Sequence, residues 1–388
     1  MILLHSQTSQ SKRVMIPLSL YIHIPWCIRK CPYCDFNSHK SPEVLPEKNY
    51  VLALIADLKN DLQHVESREI GSIFIGGGTP SLFSAEAYEI LITELRLLLT
   101  FSPDIEITLE ANPGTVEQQR FQEYRQLGIN RLSLGIQSFN PEHLRVLGRI
   151  HDAQQAHRAI ESARVAGFDN LNLDLMHGLP QQSVSQGLDD LQCALTYQPE
   201  HLSWYQLTIE PNTIFYKQKP PLPSEDDAFF LEEEGLALLQ ESGFTRYEIS
   251  AFSKLNRQAR HNLNYWLFGD YLGIGAGAHG KITTSKSIHR TRKYRQPKEY
   301  LDPDKNFLAS MDRVNTTDLV FEFMLNTTRL EQPIPLDLFV QRTGLPLDHL
   351  LSKLKIAEHQ GLITLTEKHW QVTPFGRRYT NDLQSLFL

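Results

Sequence analysis

A helix that ends at a glycine and runs straight into a strand recurs along this chain, and the repetition limits the folds open to it. The pattern appears as "YRQLGINRLSLGIQSF", "ARVAGFDNLNLDLMHGLP" and "LQESGFTRYEIS". Gly128, Gly167 and Gly243 stand where a helix closes on a left-handed residue. The runs "PLSLYIHIP", "IGSIFIGGG", "DIEITLEANP" and "HLSWYQLTIEP" bring the count to six or seven strands. Helical periodicity over 46–65 and 84–99 separates the first of them. Strands alternating with helices predict parallel β/α units with right-handed crossovers. An α/β barrel, a partial barrel or a doubly wound sheet would satisfy that pattern. The strand ends favour a barrel with a central site, because nearly every one carries a polar or glycine-rich group: Cys27, Gly76 to Thr79, Glu110, Gln137 and Asp174. One polar residue at a strand end is usually a solvated edge, so only the series carries weight.

Composition narrows the class. A chain of 388 residues with 41% hydrophobic content can bury a large core and a second, smaller one. A net charge of −7 argues against a nucleic-acid partner. Four cysteines in so long a chain are too few for a disulfide framework, which points to a reducing, cytoplasmic setting. Cys193, in "LQCALTY", reads as a packed small hydrophobe. The N-terminal extension, 1–16, lacks the apolar core of a signal peptide. The apolar run "ILITELRLLLTF" is broken by Glu94 and Arg96, so no integral membrane segment is expected. The chain divides into a barrel over 17–250, a connecting segment over 251–301 and a small C-terminal domain over 302–388. That last part reads as helix, helix, helix, hairpin, helix, a winged-helix-like α+β unit. Its third helix sets Lys353 and Lys355 against Asp348 and Glu358, so packing or partner contact fits it better than DNA reading.

"HIPWCIRKCPYCDFNSH" places Cys27, Cys31 and Cys34 in one loop. Clustered thiolates take soft metals. Zinc needs four ligands, and only His23 and His39 stand near enough to complete such a set. A four-iron cluster held by three cysteines leaves one iron open to a small molecule. The spacing puts the cluster first and leaves zinc standing. "FIGGGTPS" offers backbone at a strand end, either to a ligand or to a tight turn, and lacks the glycine spacing of a dinucleotide site. "HNLNYW" holds His261 beside Tyr265 and Trp266; such a histidine is most often a satisfied core residue.

The three-cysteine loop after the first strand, with Gly-Gly-Thr-Pro after the second, resembles the radical S-adenosylmethionine (SAM) superfamily. The resemblance implies a partial (β/α)6 barrel. It also implies a 4Fe–4S cluster on Cys27, Cys31 and Cys34 whose open iron takes the amino and carboxylate groups of SAM. "LSLYIHIPWC", "GGGTPS", "GIQSFN", "LGRIH", "LDLMHGLP" and "DYLGIGAGAHG", in that order over 17–280, are similar to the oxygen-independent coproporphyrinogen III oxidase group. Carried over, that likeness puts Tyr21 beside the cluster and the backbone of Tyr33 at the adenine. Gly77, Gly78 and Thr79 would meet the methionine amino end. Glu110, Gln137, Arg149 and Asp174 would meet its carboxylate and the ribose.

Two features depart from the oxidase. Its loop continues with a further cysteine where this chain has Phe36, and its longer N-terminal arm has no counterpart here. Both resemble the sibling HemW branch, understood as heme chaperones, and "HNLNYW" matches that branch. The likeness implies heme as cargo, His261 as a ligand or contact of its iron, and Tyr265 and Trp266 stacked on the macrocycle. Acceptor proteins, respiratory-chain enzymes among them, and a homodimer are also implied. "YQLTIEPNTIF" matches the branch without a chemical role. A radical oxidase acting on a porphyrinogen is the alternative, and the intact cofactor pocket is the feature that favours it.

Overall fold

The computed structural model describes residues 15–65, 68–114, 118–285 and 287–388. All but the last two residues of the N-terminal extension lie outside them. Six strands follow one another in parallel, in sequence order: β1 (Leu18–Ile24), β2 (Ile70–Gly77), β3 (Phe101–Ala111), β4 (Arg131–Gln137), β5 (Leu171–His177) and β6 (His201–Gln206). Helices α1 (Glu47–Asp61), α2 (Ala85–Leu98), α3 (Gln118–Gln126), α4 (Ala153–Val165) and α5 (Val184–Thr196) make the crossovers. This is the partial barrel that the family resemblance implies, one of the architectures the glycine-closed repeat leaves open. Gly128, Gly167 and Gly243 have φ of 100°, 88° and 79°. Ser84, Asp152 and Ser183 cap helices, the last two in capping boxes.

The strands alternate, yet they are not half-solvated. All seven residues of β4 are buried. Leu132, Leu134 and Ile136 belong to the core that the helices cover. Arg131, Ser133 and Gln137 alternate with them and face the barrel interior, where Ser133 bonds Asp174 and Gln137 bonds Tyr205. β1 divides the same way, with Leu20 and Ile22 against Ser19, Tyr21 and His23.

The sheet continues past both ends of this series. On one side it adds β8 (Ala251–Ser253) and then β7 (Thr245–Glu248), both antiparallel. On the other, β9 (Asp270–Ile274) lies parallel to β1, followed by antiparallel β10 (His279–Thr283), β11 (Ile288–Lys293) and β12 (Leu308–Arg313). The expected connecting segment over 251–301 therefore contributes strands to the main sheet, and that sheet runs past the expected boundary at 302. Two lysines disguise this in the sequence. Lys281 is buried on Asp270 at 2.8 Å, and Lys293 on Asp57 and Asp61 at 2.5 and 2.8 Å. Charges inside a core are tolerated only when paired; Asp270 is eleven residues from Lys281 on the neighbouring strand, whereas Asp57 and Asp61 are more than 200 residues from Lys293.

Beyond β12, α8 (Thr316–Thr327), α9 (Leu336–Thr343) and α10 (Asp348–His359) pack with a three-stranded sheet of Ile334–Pro335, His369–Val372 and Ile363–Leu365. Phe323, Phe339, Leu354 and Trp370 are fully buried in this second core. The core reaches across to Phe268 and Ile288, and Arg290 bonds Glu322 at 2.6 Å over the same junction.

Candidate functional site

The loop after β1 is closed by a parallel bridge between Trp26–Cys27 and His39–Lys40. Cys27, Cys31 and Cys34 lie within it, all unpaired and partly exposed. The amide of Cys34 donates to the carbonyl of Cys31 at 3.2 Å, which curls the loop. Burial raises the thiols of Cys27 and Cys34, so metal binding would displace their protons. Among the described residues no three His, Cys, Asp or Glu side chains converge as ligands of a single ion. His23, the nearest imidazole for a zinc set, uses Nδ1 on the Tyr21 hydroxyl at 3.0 Å and Nε2 on the Asn37 carbonyl at 2.8 Å. Cys193 lies apart on α5, and burial pushes its thiol up to about 11.

The end of β2 is pressed against this loop. Gly78 N donates to Ile24 O at 2.7 Å and Thr79 N to Trp26 O at 2.8 Å. A Cβ on Gly78 would lie 2.5 Å from the Trp26 carbonyl oxygen, and one on Gly77, at φ 115°, 2.5 Å from the His23 ring. Only glycine permits that approach. Gly77 N also donates to Glu110 Oε2 at 3.0 Å. Burial, and then the neighbouring Asp174, push the Glu110 carboxyl up to about 8. Asp174 is held by Ser133 and Asn172, each at 2.8 Å.

A relay joins the remaining strand ends. Thr79 Oγ1 accepts from Asn112 at 3.0 Å, and Asn112 Oδ1 accepts from Arg149. Arg149 also donates to Gly135 O at 2.8 Å and approaches Cys31 Sγ at 3.7 Å. Its Nε is buried without a partner among the described residues, a donor beside the cysteine loop that a carboxylate would satisfy. Gln137 is held at φ 69° with its carbonyl accepting from the Tyr205 hydroxyl at 2.6 Å. Tyr33 packs on Phe215, whose amide donates to Pro32 O at 3.0 Å. Tyr205 and Phe215 are the ends of "YQLTIEPNTIF", so that stretch braces the site. The sequence reading did not pick out Asn112; its place in "EANP" at a strand end was the available signal.

His261 is elsewhere. It lies on α7 (Arg260–Trp266), whose first amides bond Glu106 on β3. Ser72 pairs with Glu106 near the start of β2, so α7 closes the amino end of the barrel, away from the cysteines. His261 is buried. Its Nδ1 bonds Ser72 Oγ at 3.0 Å and its Nε2 the Tyr265 hydroxyl at 2.8 Å. Burial pushes its pKa down to about 3. Ligation of iron by His261 requires one of those two bonds to break. What His261 does in this arrangement is hold Tyr265, which lines a cavity of about 930 Å³ between the barrel mouth and β10–β12. Tyr21, Gly77 and Glu110 share that lining; so do His279, Arg292 and Arg295, which the sequence reading did not single out.

Residues 21–193 match the Radical SAM superfamily model and residues 314–379 the HemN C-terminal domain model. The solved structure of coproporphyrinogen III oxidase (HemN) from Escherichia coli, a radical SAM enzyme, superposes with a TM-score of 0.82 at 25% identity, covering 97% of this chain and 91% of that one. The fold and the thiol loop are thus those of a radical SAM protein. Among curated relatives, "Heme chaperone HemW" of Haemophilus influenzae is 48% identical and that of Escherichia coli 49%, each over 96% of this chain and 98% of the relative. The Bacillus subtilis protein of the same name is 34% identical over 95% and 99%. The chain belongs to the HemW family.

Proposed function

We propose that this protein is a heme chaperone, binding heme and passing it to acceptor proteins. The observation that carries the reading is its likeness to proteins named for that role across nearly the whole chain. Phe36 agrees with it: the oxidase loop has a cysteine there, and here an exposed phenyl ring stands at the cavity. Respiratory-chain enzymes are the acceptors proposed, in the cytoplasm or at its membrane face, with a homodimer as the working unit.

The carboxyl end of the barrel fits a 4Fe–4S cluster and SAM. Cys27, Cys31 and Cys34 would each hold one iron, and SAM would take the fourth. When bound, this pair supplies reductive one-electron chemistry. The chain's own groups bind and orient. Arg149, with its unsatisfied Nε, suits the methionine carboxylate. Gly77, Gly78 and Thr79 offer backbone to the amino end. Glu110 and Asp174 accept hydroxyl donors, with Gln137 beside them. Tyr21 shields the site, and the main chain of Tyr33 meets the adenine.

The test is anaerobic. The reconstituted protein is titrated with hemin and, separately, incubated with coproporphyrinogen III, SAM and a reductant beside a working oxidase. The expected outcome is a saturable Soret band and no protoporphyrinogen IX. Product above background would overturn the chaperone reading in favour of the oxidase.

A further inference from the structure

Two histidines line the cavity at the barrel mouth, His23 and His279; a third, His261, lies behind its Tyr265 wall, and the three differ in one respect. His23 and His261 have both ring nitrogens hydrogen bonded. His279 is exposed, lines the cavity, and its ring makes no hydrogen bond to another described residue. It sits on β10 directly across from Arg292 on β11, and that pairing places side chains about 5 Å apart on one face. The Arg295 guanidinium, also exposed at the cavity, has no hydrogen bond or ion pair with a described residue. Arg292 bonds Ser310 at 2.9 Å and Asp312 at 3.4 Å, and the Arg292 and Asp312 side chains are more than half exposed. Exposed pairs of that kind are worth little and are readily redirected.

The walls suit a flat ligand. Tyr21 and Phe74 stack at 6.3 Å, and Tyr265 meets Tyr271 edge-on at 4.4 Å. Phe36, 65% exposed, stands at the cysteine-loop side. The two carboxylates of the lining do not repel an anion: burial keeps Glu110 protonated at neutral pH, and Glu299 pairs with Lys305 at 3.2 Å. A volume of about 930 Å³ lies in the roughly 300–1,000 Å³ range of cofactor pockets.

We propose that this groove seats the heme, with the His279 imidazole on the iron, Arg292 and Arg295 on the two propionate carboxylates, and the macrocycle against Tyr265, Tyr271 and Phe36. The assignment rests on the heme-chaperone reading and names the site of that cargo. Each element has its chemistry on the page. An uncommitted imidazole is the protein donor that suits heme iron. Planar guanidiniums suit carboxylates, and aromatic faces suit a flat apolar ring. Burial, then Arg292, lowers the pKa of His279 and keeps the ring neutral, the form that ligates. HNLNYW contributes through His261, which fixes the Tyr265 hydroxyl and so the wall. His261 is thus a positioning residue.

The test is a hemin titration of the full-length, cluster-loaded protein, reading the Soret maximum and Kd. It compares wild type, His279→Ala, the double variant Arg292→Glu/Arg295→Glu, and His359→Ala, an exposed histidine of α10, as control. All the changed side chains are exposed, and iron content with circular dichroism confirms folding. The expected result is a shifted Soret maximum and at least about tenfold weaker binding for His279→Ala, a loss of about 1.4 kcal/mol. Added imidazole should restore the spectrum. Charge reversal should weaken binding without moving the Soret maximum, and His359→Ala should match wild type. A wild-type spectrum and affinity for His279→Ala would overturn the assignment while leaving the heme function intact. Wild-type protein that binds no hemin would overturn the chaperone reading itself, and this site with it.

Discussion

The two ends of the barrel interior are both polar and both buried, but their side chains are used differently, although Arg131 Nε and Trp266 Nε1 find no partner among the described residues at the amino end either. At the amino end, Ser19, Ser72, His261 and Tyr265 form one hydrogen-bonded chain. Asn172, His201 and Tyr247 form another, with contacts of 2.6 and 2.8 Å. At the carboxyl end, three thiols stand free, Arg149 Nε has no partner among the described residues, Gln137 is held left-handed and Glu110 keeps a proton at neutral pH. Closed networks hold a fold together; open valences, strain and shifted acids mark where ligands belong. His261, bonded at both ring nitrogens, is a brace in this arrangement, while the His279 ring at the cavity is uncommitted.

The contrast breaks most visibly at the thiols. Cys27→Ala, Cys31→Ala or Cys34→Ala should abolish the reconstituted iron and its visible absorbance, with little loss of secondary structure. Cluster-level iron in any single variant would sink the three-thiol assignment. His261→Ala should do the opposite. It deletes a buried ring and leaves Ser72 and Tyr265 short of a partner, a loss of about 2–4 kcal/mol readable as a lower Tm, with iron loading retained. The motif histidine also sets an acid limit. Its pKa is near 3 folded against about 6.5 unfolded, so the unfolded chain binds the extra proton. The stability its neutral burial contributes is present above pH 6.5 and is lost on acidification towards 3. His261→Phe should flatten that part of the Tm profile; an unchanged profile would show that other groups carry it.

At the other end, Gly78→Ala forces a methyl onto the Trp26 carbonyl, and overpacking of this kind costs about 1–3 kcal/mol. SAM binding should fall more than Tm, because the turn itself is displaced. Glu110 has the opposite pH sign to His261. Its carboxyl is raised to about 8 folded against about 4.3 unfolded, so the native state holds the proton and stability declines as pH rises between those values, by up to about 1.4 kcal/mol per pH unit. Glu110→Gln removes that slope and should raise Tm relative to wild type at pH 8.5 but not at pH 5. Equal slopes would contradict the buried, protonated assignment.

Much of this was legible beforehand. The helix–glycine–strand repeat announced the parallel series because Gly128, Gly167 and Gly243 carry their conformational requirement locally. Cys27, Cys31 and Cys34 were legible for the same reason, being close in sequence. What stayed hidden depends on distant partners. The strand bearing Lys293 looked like a polar connection because the acids that neutralise it, Asp57 and Asp61, lie more than 200 residues away. His279, Arg292 and Arg295 became a site only once β10 and β11 paired. Asn112 acquired a role only between Thr79 and Arg149. His261 is the reverse case: its motif is local and visible, but Ser72, whose hydroxyl it bonds, is 189 residues away.

The smallest effect sharpens the contrast most cheaply. Cys193 is the fourth thiol, and burial raises it as burial raises Cys27. A thiol's titration therefore does not separate ligand from filler; placement does. Cys193 sits mid-helix on α5, where Asp190 is the charged neighbour that pushes its thiol further up. Cys27 shares its loop with two more thiols and the Ser38 hydroxyl, and the Thr79 hydroxyl meets it from the end of β2. Replacing a partly buried thiol by a methyl in a helix removes one polarizable atom and adds helix propensity, two terms that nearly cancel. Cys193→Ala should thus change stability by less than about 1 kcal/mol and leave iron per chain at the wild-type value. If iron falls with Cys193→Ala, the fourth thiol reaches the cluster, and the division between a structural and a ligating cysteine is wrong.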